Sequence, residues 1–202
     1  MRLSLTFDDG PDPVWTPAVL DALASADAKA TFFALGAAAQ RHPGPLRRAL
    51  AEGHAVEVHG HAHLRHPDHA RAEVEEDLER ALEILADLGA RPRLWRAPWG
   101  DLAPWTPELA ASHGLGLAGW TADTEDWRGD DAATMLERVT GPLRPGAIVL
   151  AHDGLGPGAL RGGCQETVAL IAPLVAAARR RGLEPGVLAG PMPAGNPELV
   201  PV

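Results

Sequence analysis

Asp8 and Asp9 stand side by side in Thr6-Phe7-Asp8-Asp9-Gly10-Pro11, and adjacent carboxylates need a reason. Like charges that close repel unless a cation or separate hydrogen-bond partners hold them, and separate environments split their pKa values and their roles. Taken alone, the pair reads equally as an acidic turn that caps the next helix. His59-Gly60-His61-Ala62-His63 offers half of a divalent-metal site, because neutral imidazoles are metal ligands and two of them with one carboxylate leave a position open for water. On spacing alone His61 could replace His59 or His63, and with nine His in the chain a solvated His-rich loop is the alternative. Cys164 is the single cysteine, so there is no internal disulfide and no Cys-based zinc site, and any metal must be held by His and carboxylates.

Three further groups carry chemistry. An arginine beside Asp8 would keep a carboxylate ionised and oriented, as a general base requires, and Arg96 in Arg96-Ala97-Pro98-Trp99-Gly100 is the candidate. His152 follows an apolar run, and an acidic neighbour such as Asp126 would raise its pKa and keep it ready to act as an acid. Without such a neighbour it reads as a satisfied buried histidine. Of the tryptophans, Trp95 and Trp120 are expected in the core, whereas Trp99, Trp105 and Trp127 follow strand ends, where flat apolar rings at a pocket rim suit the faces of sugar rings.

The elements that must position these groups are legible from periodicity. Arg2 to Phe7 alternates apolar and polar residues as a strand does, and Gly10-Pro11 stops it. A helix is expected from Thr16, as N-cap, to about Ala26, then strands at 30–35 and 55–58 separated by a helix from Pro45 to Glu52. From Glu73 to Leu88, Val74, Leu78, Leu82, Leu85 and Leu88 recur at helical spacing, and Gly89 supplies the stop. Strands at 93–96, 115–121, 147–151 and 183–188 alternate with helices at 106–113, 131–140 and 165–181, and a Pro/Gly-rich tail follows residue 190. Such alternation predicts one α/β domain over residues 1–190 with a mostly parallel sheet, and short units without a dinucleotide glycine fingerprint favour a barrel. In that architecture the C-terminal ends of the strands converge. Asp8 and Asp9, His59 and His63, Arg96, Asp123 and Asp126, and His152 and Asp153 all fall at such ends, so they are predicted to share one pocket.

Composition bounds the partners. The 202 residues carry 46% apolar and 22% charged residues, as ordinary globular chains do, and a net charge of −9 argues against a nucleic-acid footprint. No apolar run approaches the ~18 residues of a spanning helix, so no membrane insertion is expected. No basic and apolar leader precedes the first strand, which predicts a cytoplasmic protein, or an extracellular one if this is a mature form.

Taken together, the motifs resemble those of the polysaccharide deacetylases, the NodB-homology group also called carbohydrate esterase family 4. The resemblance rests on five stretches in that family's order: Thr6 to Pro11, His59 to His63, Arg96 to Gly100, Asp123 to Trp127 and Leu150 to His152. It implies a distorted seven-stranded (β/α) barrel and metal-dependent removal of acetyl from N-acetylated sugars of the N-acetylglucosamine type. By position it implies Asp8 as catalytic base, Asp9, His59 and His63 as ligands of one divalent metal, Arg96 as the arginine that holds the base, Asp126 as the acid that tunes His152, and His152 as general acid. Zinc is the expected metal, with cobalt or nickel as alternatives, and Pro98, Trp99, Gly100 and Trp127 are expected to meet substrate. The chain departs from the family at Gly60, where typical members place a Ser or Thr whose hydroxyl supports the metal loop. Two other readings stay open: an amidase or imidase acting on a small non-sugar amide, and a non-catalytic carbohydrate-binding domain.

Overall fold

The computed structural model describes residues 1–191, so nearly all of the irregular tail expected at 191–202 lies outside the described residues. In chain order the elements are β1 (Arg2–Asp8), α1 (Trp15–Ser25), β2 (Thr31–Ala34), α2 (Gly36–Arg41), α3 (Pro43–Ala51), β3 (Ala55–Val58), α4 (Arg71–Asp87), β4 (Leu94–Trp95), α5 (Thr106–Ser112), β5 (Gly116–Leu117), β6 (Ala122–Asp123), α6 (Ala132–Thr140), β7 (Ile148–His152), α7 (Gln165–Arg180) and β8 (Glu184–Gly186). The strands pair in the order β5-β4-β3-β2-β1-β7-β6, and β8 joins the start of β1. Every pairing is parallel.

β1 is central because Leu3, Leu5 and Phe7 on one face and Ser4, Thr6 and Asp8 on the other are all buried, as a strand covered on both sides requires. Its outer face joins the main core beneath the helices, where Val74, Leu78, Ala81 and Leu85 of α4 form one buried stripe. Two small clusters lie apart from that core, Phe33-Leu94-Ala118 and Trp120-Ile148-Leu150, and Leu188 packs against both.

The sheet curls without closing. β5 and β6 stand at its two edges, which is the distorted (β/α) barrel expected. Of the single strand expected at 115–121 only β5 forms within that span, and β6 begins just past its end, on the opposite edge of the sheet. Each is two residues long, because only that much backbone on either side of the Ala118–Thr121 crossing finds a ladder partner. Directly after the strand expected at 30–35, Gly36 opens α2, a helix not expected from the sequence, whose Ala-rich stretch favours helix. Thr16 is not the cap of α1. The N-cap position is Val14, which has no side-chain cap, and Asp12 Oδ1, two residues earlier, accepts from the N–H groups of Val14 and Trp15 at 2.7 and 2.8 Å. Thr16 is fully buried and its hydroxyl donates to Asp153 at 2.5 Å.

Register carries the reactive residues to one end. Asp8 pairs with His152 across β1 and β7, and Val58 pairs with Trp95, so His59 and Arg96 emerge together one residue later. Arg96 leaves β4, three strands from β1 along the sheet, yet its Nη1 reaches Thr6 and Asp8 at 2.9 and 2.7 Å. Only a curled sheet brings those ends within one side-chain length.

Candidate active site

Asp8 is buried and its Oδ1 receives the Arg96 guanidinium, which lies 4.1 Å above the Phe33 ring and has no exposed surface. A buried guanidinium is costly unless each face of its fork is met. Here Nη2 donates to the Gly119 carbonyl at 2.9 Å and Nε to that of Ala118 at 3.4 Å. The carbonyls come from the crossing between β5 and β6, so the irregular edge of the sheet completes the arginine's site.

Beside this pair, ligand-type atoms of Asp9, His59 and His63 all lie within 4.8 Å of one another. Asp9 Oδ1 is 3.5 Å from His59 Nε2 and 3.2 Å from His63 Nε2. His59 Nδ1 lies 2.7 Å from the Arg96 carbonyl, an atom that can only accept, so Nδ1 carries a proton and Nε2 is the ring atom turned toward Asp8 and Asp9. Burial alone would raise Asp9, but its contacts with His59 and His63 and the charge of His152 hold it well below the carboxylate range. Burial likewise disfavours a charged His59, and the facing charges of Asp8 and Asp9 raise it nonetheless. Asp9 Oδ1 is buried with no hydrogen-bond partner. A carboxylate and two imidazoles converging on such an orphaned oxygen fit a divalent cation.

Asp9 and His63 have φ of 72° and 58°, a left-handed backbone that non-glycine residues hold only when the surroundings impose it. The surroundings of the histidine loop are visible. Asp77 of α4 accepts the N–H groups of His61 and Ala62 at 2.6 and 2.8 Å, and Gly36 and Ala37 at the start of α2 donate to the carbonyls of Gly60 and His61 at 2.9 and 3.1 Å. Gly60, at φ +87°, allows that approach, since a Cβ there would lie 2.8 Å from the Asp77 carboxylate. A carboxylate from the neighbouring helix therefore anchors this loop in a chain with no hydroxyl at residue 60. His61 lies outside the ligand cluster: its Nδ1 sits beneath Gly36, and a Cβ at Gly36 would come within 2.8 Å of it.

His152 faces this group across β1. Its Nδ1 is 2.6 Å from Asp126, whose other oxygen accepts from the His152 N–H at 2.9 Å, the Thr167 hydroxyl at 2.6 Å and Arg161 at 2.8 Å. Burial works against charge on both partners. Even so, their mutual attraction holds Asp126 down to about 2 and pushes His152 up to about 10, with Asp9 and Asp8 adding to the latter. Arg161 and Thr167 do not stand out in the sequence, where one is a lone arginine in a glycine-rich loop and the other opens an amphipathic helix. Arg161 also donates to the carbonyls of His152 and Gly154 at 3.1 and 3.3 Å. Asp153 points away from this pair; burial pushes it up to about 7, and its N–H ties the end of β7 to the Asp8 carbonyl at 3.1 Å.

Asp8, Asp9, His59, His63, His152 and Arg161 line a cavity of about 260 Å³, to which Trp99, Gly100, Trp120, Asp123 and Trp127 contribute, while Arg96, Asp126 and Asp153, expected in the same pocket, do not line it. Trp99 packs edge-on against His63 with ring centroids 4.1 Å apart and remains 37% exposed at the rim. Pro98, expected at the substrate, is buried behind the turn and does not line the cavity. Trp105, also expected at the rim, packs on the main core with its ring 5.9 Å from that of His66. Trp120 is buried as expected, yet it is also a wall of the cavity.

The profile of the family described as polysaccharide deacetylase matches residues 2–118. This chain belongs to that family. The polysaccharide deacetylase profile takes in the acid pair, the histidine loop and Arg96, while Asp126 and His152 lie beyond it and meet them through the fold. Among relatives, the chain is 39% identical over 194 residues to a chitooligosaccharide deacetylase of Bradyrhizobium sp. (strain ANU 289), covering 89% of this chain and 85% of that protein. Among solved structures it matches the Bc1960 peptidoglycan N-acetylglucosamine deacetylase with a TM-score of 0.86 and 31% identity, covering 93% and 86% of the two chains. A family 4 carbohydrate esterase from Streptomyces lividans, in complex with acetate, matches with a TM-score of 0.83 and 26% identity over 92% and 91%. The chain is thus a polysaccharide deacetylase family enzyme with the curled parallel fold of its relatives.

Proposed function

We propose that this enzyme hydrolyses the N-acetyl group of N-acetylglucosamine units in soluble glycans or cell-wall fragments, with one divalent metal, zinc by its donor set, held by Asp9, His59 and His63. The observation that carries this reading is the placement of a carboxylate fixed by Arg96 and an imidazole fixed by Asp126 on either side of one three-ligand cluster. When bound, the metal supplies the positive charge that acidifies a water and polarises the amide carbonyl. Asp8, oriented by the hydrogen bond it accepts from Arg96, takes the proton of the attacking water. A backbone N–H in the Trp99 turn is assigned to the developing oxyanion. His152, protonated through its bond to Asp126, gives its proton to the departing amine.

The relatives act on chitooligosaccharide and on peptidoglycan N-acetylglucosamine, and the shape of the site supports a sugar here too. Its volume of about 260 Å³ lies at the small end of ligand pockets, enough for an acetamido group and part of one ring, while exposed Trp99 offers a face to a sugar outside. A small non-sugar amide would need no such open aromatic rim. Release of acetate and free amine in equal amounts from N-acetylglucosamine oligomers or peptidoglycan fragments is the expected result. Turnover of simple amides with no release from either glycan overturns the sugar assignment.

A further inference from the structure

β7 is followed by Gly154-Leu155-Gly156-Pro157-Gly158, a segment that the chemistry above does not use. Asp9 lies directly against it. A Cβ at residue 156 would overlap Asp9 Oδ2 and come within 2.7 Å of Asp9 Cγ, and one at 154 would lie 2.6 Å from the Asp9 carbonyl oxygen and 3.0 Å from the Gly10 nitrogen. The segment has little freedom to retreat. Arg161 holds the Gly154 carbonyl at 3.3 Å, the Ala159 N–H donates to the Gly156 carbonyl at 3.2 Å, and the Leu160 N–H donates to Trp127 at 2.8 Å. On its other side the Asp9 carboxylate faces His59 and His63, and among the described residues its buried Oδ1 has no hydrogen-bond donor to orient it.

From this packing we infer that Gly156 is a positioning residue for the metal centre: the bare backbone at 156 is the wall that sets the Asp9 carboxylate toward His59 and His63. A methyl group at that position has one soft atom to displace, the carboxylate itself, because the backbone behind it is pinned. Turning the carboxylate aside leaves two imidazoles, which hold a divalent cation more weakly than a three-ligand set. Gly162 provides a control in the same loop, since a Cβ there meets nothing within 4 Å and its φ is not in the left-handed region.

The inference rests on Asp9 as a metal ligand, and the experiment separates the two. Zinc affinity, read by competition with a chromophoric chelator, is expected to fall about tenfold or more in Gly156→Ala, the range seen when groups that orient a ligand are lost, and to stay at the wild-type value in Gly162→Ala. In the metal-free protein the stability lost to Gly156→Ala is expected to vanish when Asp9 is also changed to Ala, because the overlapping atoms are gone. If Gly156→Ala alone does not fold, Asp9→Ala/Gly156→Ala is expected to fold. Wild-type zinc affinity in Gly156→Ala overturns the inference, and so does an equal stability penalty in both Asp9 backgrounds. Wild-type protein that binds no zinc overturns the metal assignment, while the stability comparison still decides whether Gly156 and Asp9 meet as described.

Discussion

In the proposed mechanism Asp126 acts only through His152, to which it is hydrogen-bonded at 2.6 Å. Its charge and hydrogen bond overcome burial and push that ring up to about 10. Asp126→Asn removes the charge and keeps the shape. The histidine then drops toward its ordinary value near 6.5 and loses its proton at lower pH, so the alkaline limb of kcat/KM is expected to move to lower pH. A pH-rate profile of the zinc-loaded variant reads this. An unmoved limb means that another group sets it. Asp8→Asn tests the base in the same spirit: kcat is expected to fall about 10²- to 10⁴-fold with zinc affinity kept, since Asp8 is paired to Arg96 and stands outside the ligand set. Trp99→Ala is expected to raise KM for glycan oligomers more than it lowers kcat, because the ring stands at the rim and contacts His63 edge-on.

Between elements, the histidine loop depends on a helix that carries no ligand. Asp77 on α4 accepts two of its N–H groups, and Asp77→Ala is expected to weaken zinc binding about tenfold, measured by chelator competition, with little change in the rate of the loaded enzyme. This dependence was not legible in the sequence, where Asp77 is one acid among many on the polar side of an amphipathic helix. Legible features were those set by local rules: the α4 stripe, the glycine and proline stops, and the placement of Asp8, His59, Arg96 and His152 just past apolar runs. The two-residue strands β5 and β6 escaped because so short a pairing is imposed by neighbours across the sheet and leaves no period of its own. Trp105 and Pro98 were misplaced for a related reason. Position after a strand end says that a residue is near the site, while burial against His66 or behind the Trp99 turn decides what it touches.

Over the whole molecule, the curl of the sheet makes a site from residues that share no local contact. Arg96 spans the interior from β4 to β1, and the helices outside hold that curl through a core in which Leu78 and Leu85 are fully buried. Leu78→Ala is expected to cost about 2–5 kcal/mol in urea unfolding, through lost burial and the cavity left behind. Zinc at about 100 times its Kd is expected to add about 2.7 kcal/mol to the stability of the folded protein, since Asp9, His59 and His63 converge only in the fold. The most direct test of the central claim is acetate release from N-acetylglucosamine oligomers by chelator-stripped enzyme as zinc is added back. Activity absent without metal, restored at one equivalent, and not restored at that ratio in Asp9→Ala or His63→Ala is the expected result; full activity in the stripped wild-type enzyme contradicts the assignment.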